Sequence, residues 1–167
     1  PTYYQNGIVY LSVKDAHPDA FKEGEFFFRL RYAPLNEQGM PIAPVPFAVD
    51  ESKQNHKGPV CFSADQKQMF LSRTNTEGSS DDDAPQSMNI YRLNRGDTFW
   101  VDQEWMPFNQ EGATSFHPTI SDDGSLLIFA SDRPGGYGGF DLYGVQNING
   151  AWSEPFNLGA KVNSKRN

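Results

Sequence analysis

FHPTISDDGSLLIFASDRPGGYGGFDLYGV, residues 116–145, carries the plan on which most of this chain is built. Asp122-Asp123-Gly124 reads as a hairpin turn, because Asp-Gly tolerates the positive φ angles that tight strand-to-strand turns need. Residues 117–121 ahead of it form a first strand. Residues 126–131 after it are an unbroken apolar run, expected to be a second strand buried on both faces. A glycine loop leads to a third strand over residues 139–145. Its alternation puts Phe140, Leu142 and Gly144 on one face and Asp141, Tyr143 and Val145 on the other. Asn149-Gly150 then turns the chain into a fourth strand around Trp152.

Working outward, the same order of landmarks recurs at a period of about fifty to sixty residues, the signature of a repeat architecture. Pro-Phe stands at Pro46-Phe47, Pro107-Phe108 and Pro155-Phe156, at intervals of 61 and 48 residues. Nine residues beyond the first two Phe lie His56 and His117, followed by Pro59 and Pro118. FSADQKQMFLS (62–72) aligns with ISDDGSLLIFAS (120–131). An aromatic strand precedes each Pro-Phe: FFFRLRY ending at Tyr32, NIYRL around Tyr91, FDLYGV around Tyr143. A turn containing Gly39, Gly96 or Gly150 follows each. The middle unit has strands at 66–72, 89–93 and 99–105. The first unit has a second strand at 7–13 and a third at 25–33, with nothing upstream expected to supply a first.

The fold class these units imply is all-β: a partial β-propeller of about three four-stranded antiparallel blades, the first incomplete. The whole of residues 1–167 is read as part of one propeller domain, with blades near 1–50, 56–109 and 117–157. Residues 161–167 start a further blade. Propellers close with four to eight blades. Three alone leave edges and apolar faces open, so the remaining blades are expected from the parent chain or another chain.

Composition agrees. The 167 residues include 13 Phe, 7 Tyr, 3 Trp, 15 Gly and 12 Pro, a mix that suits short strands and tight turns rather than helices. A formal charge of −7 argues against a nucleic-acid partner, since phosphate binding needs clustered Lys and Arg. No apolar run reaches the roughly 18 residues of a membrane-spanning helix. No signal-peptide pattern is visible, and a start at Pro1 points to a removed leader or an excerpt of something longer. The lone Cys61, between Val60 and Phe62, reads as a small buried hydrophobe.

Residues 116–145 resemble the WD-like repeat of TolB-type propellers, with its Ser-x-Asp-Gly turn, its apolar strand ending in Ser-Asp-Arg and its Asp-Leu-Tyr strand. GGYGGF followed by WSEPFNLG (152–159) is similar to the propeller of PorE-like, OmpA-family lipoproteins of the type IX secretion system, and GPVCFSADQK (58–67) fits that subgroup. The resemblance is strong from about His56 onward. It departs at Gln66, which replaces the turn glycine and predicts a different turn type, and at Arg73-Thr74-Asn75 in place of Ser-Asp-Arg. It implies a periplasmic, outer-membrane-associated protein whose partners are proteins of a cell-envelope complex. Peptidoglycan would be reached only through an OmpA-like domain outside these residues.

Candidate chemistry is sparse. GGYGGF (135–140) joins two strands, not a strand to a helix N-terminus, so it reads as a loop and not a phosphate cradle. Asp132, Arg133 and Asp141 form either a functional charge cluster or a bidentate Arg–carboxylate lock on the turn, the latter favoured by the repeat. His56 and His117, on neighbouring units, are too far apart to share a metal and are expected to bond loop backbone or a carboxylate. Asp81, Asp82 and Asp83 lack the alternating spacing of a calcium loop. Arg95-Gly96-Asp97 falls where the repeat demands a turn. No nucleophile elbow is present, so no catalytic residue, metal or cofactor is assigned.

The expected function is a non-catalytic scaffold for protein–protein interaction. One alternative is a small-ligand or glycan-binding propeller using Trp100, Trp105 or Trp152 at a pocket mouth. Another is the gating propeller of a hydrolase encoded elsewhere in the parent chain.

Overall fold

One network of side-chain and backbone bonds occurs twice and fixes two hairpins. In a computed structural model describing residues 1–13, 28–49, 56–74 and 87–165, Ser121 Oγ donates to Asp123 Oδ1 (2.6 Å), as does the Ser125 N–H (3.0 Å). The Leu126 N–H donates back to Ser121 Oγ (3.0 Å) and the Gly124 N–H to the Ser121 carbonyl (2.9 Å). Ser63, Asp65, Lys67 and Gln68 repeat every one of these bonds, with the Gln66 N–H donating to the Ser63 carbonyl. Gln66 adopts φ +54° where Gly124 has +70°. The turn is therefore the same type in both units, contrary to the expectation from Gln66. The carboxylate network holds a glutamine in a conformation that costs an L-residue about 1–2 kcal/mol.

The described residues contain no helix and form three antiparallel sheets. The first is β1 (Thr2–Tyr4), β2 (Gly7–Ser12), β3 (Arg29–Pro34) and β4 (Val45–Pro46), in that order. The second is β5 (Lys57–Phe62), β6 (Gln68–Thr74), β7 (Met88–Arg95) and β8 (Trp100–Trp105). The third is β9 (Ser115–Ile120), β10 (Leu126–Ser131), β11 (Asp141–Ile148) and β12 (Ala151–Trp152), with the short β13 (Phe156–Asn157) also pairing β11. The first sheet is not short of a strand, as the sequence reading had it. Gln5, at φ +49°, and Asn6 close a two-residue hairpin that pairs Tyr4 with Gly7 and brings Thr2–Tyr4 alongside β2. Residues 25–27 of the expected third strand lie outside the described residues.

The sheets stack face to face with an apolar layer on each side of the middle one. Met69, Leu71, Tyr91 and Leu93 point toward the first sheet, meeting Tyr4, Val9, Leu30 and Phe47. Their neighbours Cys61, Phe70 and Ile90 point the other way, against Leu127, Phe129, Tyr143 and Val145 of the third. This is the period-2 alternation of a strand used on both faces. Layers are also cross-bonded: Thr2 Oγ1 donates to the Val60 carbonyl (2.7 Å), and the His117 N–H to Ser72 Oγ (3.2 Å).

β10 departs from its expected burial. Leu127, Phe129 and Ser131 are buried, but Leu126, Ile128 and Ala130 are only half-covered, because the described residues form no further sheet over that side. On β11, Asp141, Tyr143 and Val145 are buried and Leu142 is exposed as expected, but Gly144, on the same face as Leu142, is buried beneath the Phe156 ring.

Counting along the ladders revises two landmarks. Phe47, Met106 and Leu158 each donate an N–H to the matching third-strand carbonyl, of Leu30, Ile90 and Leu142. Pro-Phe thus falls at, just after and just before this shared point, so the three pairs share no register. The histidines are not equivalents either. His56 and Thr74 exchange bonds as Thr114 and Asp132 do, which sets His56 opposite Thr114, while His117 corresponds to Pro59. Both latter residues sit where β5 and β9 slip register in a bulge, and His117 accordingly has φ +54°. Pro59 and Pro118 stand in these irregular stretches, where a missing N–H is tolerated.

Candidate functional site

Arg133 is the best-held polar side chain of the third sheet, and it does not pair with a carboxylate. Its Nη2 donates to the Phe108 carbonyl (2.9 Å) and its Nε to Ser131 Oγ (3.2 Å). The guanidinium lies 5.0 Å from the ring centroids of both Phe129 and Tyr143. Burial lowers its pKa. Asp132 and Asp141 are engaged elsewhere: Asp132 Oδ1 accepts the Thr114 N–H (2.7 Å), and Asp141 Oδ2 accepts the Tyr137 N–H and Asn157 Nδ2. Neither the charge cluster nor the bidentate lock forms. The arginine instead ties its own sheet to the tail of the preceding one.

The glycine loop serves the same turn. A Cβ on Gly136 would stand 2.3 Å from Asp141 Oδ2, so the backbone must be bare there for Asp141 to cap the loop. Arg95-Gly96-Asp97 spans the end of β7 and the turn into β8, closed by the Gly96 N–H on the Phe99 carbonyl (3.0 Å).

The three tryptophans are packing residues. Trp100 is buried in the layer between the first two sheets, Trp105 meets Tyr91 edge-on, and Trp152 does the same against Phe70 and Phe108. Trp100 is thus buried, whereas Trp105 and Trp152 are half-buried. His56 Nδ1 accepts the Phe28 N–H (3.5 Å), a loop-backbone bond of the expected kind. His117 lies against Phe116, and partial burial lowers its pKa. Burial pushes the Cys61 thiol up to about 12, which leaves it protonated and unreactive. Asp81, Asp82 and Asp83 lie outside the described residues. Among the described residues no three His, Cys, Asp or Glu side chains gather closely enough to hold a metal ion. No helix among the described residues is long and apolar enough to cross a membrane.

Two surfaces remain, neither of them legible as a motif. The first is the outer face of the third sheet. Ile128, Ala130 and Leu142 lie there, in the places that Phe70, Ser72 and Ile90 hold on the covered face of the middle sheet, and Phe156 lies beside them over Gly144, on the rung that Glu104 holds in the middle sheet. Ile90 is 0% exposed, whereas Leu142 is 39% and Phe156 42% exposed. The second is a cavity of about 790 Å³ between the tail of the first sheet and the second, lined by Phe47, Val49, Leu71, Leu93 and Trp100, with Lys57 and Arg73 set into the wall.

A scan against protein-family models finds no match for the chain, and no curated protein resembles it at a significant level.

Proposed function

We propose that the chain is part of a β-propeller and works as a non-catalytic scaffold for protein–protein interaction in a periplasmic, outer-membrane-associated complex of the type IX secretion kind. On this reading the three sheets are successive blades.

The observation that carries the architectural half is the contrast between equivalent faces. A sheet whose apolar side is sealed in the middle of the stack and open at its end is a repeat awaiting its neighbour. An open apolar face of this kind is otherwise an aggregation hazard, and a further blade of the same repeat would cover it. The Arg133–Phe108 carbonyl bond supports the same reading, since it ties the third sheet to the tail of the second. The envelope half rests on the resemblance carried by GGYGGF and WSEPFNLG.

The test has two arms. A photo-crosslinking residue at position 142 of the native protein should join this face to another segment of the parent polypeptide or to a second copy. Crosslinks at exposed fourth-strand positions such as Gln103 should capture outer-membrane or periplasmic secretion components. A crosslink from position 142 to an unrelated protein would end the propeller reading. Recovery of the native protein from the cytoplasm, with no envelope partner at any position, would end the secretion reading.

A further inference from the structure

Sheets two and three differ at one buried pair. Ser115 and Ser131 are ladder partners in the third sheet, and the positions that match them in the second are Lys57 and Arg73. The small serines leave room for Arg133 to come from two residues further on, span Phe129 and Tyr143, and reach the Phe108 carbonyl. Arg73 brings its guanidinium to the matching ring, 4.0 Å from the centroid of Tyr91, but from inside the strand. By ladder position the first-sheet counterpart of Phe108 is Val49, two residues beyond Phe47, and it lines the same cavity as Arg73. The gap that Arg133 closes in one layer is thus left open in the other, and that gap is the cavity of about 790 Å³.

Its chemistry is selective. Arg73 is 3% exposed and its Nε has no hydrogen-bond partner. Lys57, 4% exposed, stands in the same wall. Among the described residues the other walls are largely apolar, and the acid that lines the cavity, Asp102, stands on exposed β8. A buried guanidinium in the wall of a cavity favours an anion that accepts planar hydrogen bonds, and a carboxylate does this best. The apolar walls favour a ligand with a hydrophobic body.

We propose that this cavity is a binding site for an organic carboxylate with an apolar body, its head group on Arg73 and its body against Leu71, Leu93 and Trp100.

The probes are octanoate and octan-1-ol, matched in length and differing in the head group, added to the full chain while the Trp100 indole N–H resonance is followed. Octanoate should bind saturably and at least about tenfold more tightly than octanol, the factor expected of a charge-assisted hydrogen bond. Arg73→Met should erase that preference. Phe99→Glu, at an exposed rim position, places a negative charge at the mouth and should weaken octanoate severalfold with the melting temperature unchanged, which keeps the proposal testable if the first variant does not fold. N-acetyl-Leu-Phe as free acid and as amide forms a second arm. A preference for the free-acid peptide with no octanoate binding assigns the site to a chain terminus, and the converse to a small carboxylate. Equal binding of acid and neutral probes in both arms, or an acid preference that survives Arg73→Met, overturns the proposal.

Discussion

β6 and β10 are the same strand in two settings. Each follows the same Ser-x-Asp turn, each pairs with a first and a third strand, and each has an apolar centre. β6 is covered on both faces from Met69 to Thr74, whereas β10 alternates between buried and half-exposed. Their own sequences do not account for this, since LLIFAS is at least as apolar as QMFLSR. Burial here belongs to the stack, so the energetic worth of a side chain depends on which layer it occupies.

Matched truncations put most weight on that statement. Ile90→Ala should cost about 2–5 kcal/mol, as for a fully buried aliphatic residue. Leu142→Ala, at the equivalent position, should cost under about 1 kcal/mol because little of its surface leaves water in this chain. Urea unfolding of both variants decides it, and equal losses would break the comparison. Next come the two arginines. Arg133→Met should cost about 2–3 kcal/mol, since it removes buried charged hydrogen bonds as well as ring contacts. Arg73→Met should cost about 1 kcal/mol, as it forfeits a single ring contact. A larger loss at Arg73 would mean that its guanidinium is a structural tie after all.

The paired turns sharpen the comparison at smaller scale. Gln66→Gly should stabilise the middle sheet by about 1 kcal/mol, and Gly124→Ala should destabilise the last by a similar amount, because both positions have positive φ. Hydrogen bonds from Ser121 and Ser125 hold the Asp123 carboxyl down at about 2, against an ordinary value of 3.8. The native state therefore binds this proton less readily than the unfolded chain. Its contribution is complete above about pH 4 and is lost as pH falls toward 2. Asp123→Asn should flatten that part of the acid-unfolding curve, and Asp65, also lowered, should do the same for the middle turn. The smallest expected effect is none: Cys61 should resist a thiol reagent at pH 8 until the chain unfolds, and rapid labelling would mean that the layer between the second and third sheets opens readily.

Much of this architecture is legible in the residues. SDDGS sets a turn that needs no tertiary help, and the alternation of Asp141, Tyr143 and Val145 against Leu142 names the buried side of its strand. What was hidden depends on contacts distant in sequence. Thr2–Tyr4 is too short to announce itself, and the Gln5-Asn6 turn lacks the Asp-Gly signal of the later ones. His56 and His117 match in spacing but not in register, because the spacing is counted from Phe47 and Phe108, which stand on different rungs. The three Pro-Phe pairs share a composition while occupying different rungs. The Lys57–Arg73 cavity is the least visible feature, since it exists only because a long side chain from one rung stands in for another two residues away.

The segment between the second and third sheets has a mechanical consequence. The Asn109 side chain accepts the Ile90 N–H and donates to the Ile90 carbonyl, while Arg133 holds the neighbouring Phe108 from the far side. A connector gripped from both flanks cannot serve as a hinge. Proteases should find few openings there, and bending forces on one layer should pass undamped into the next.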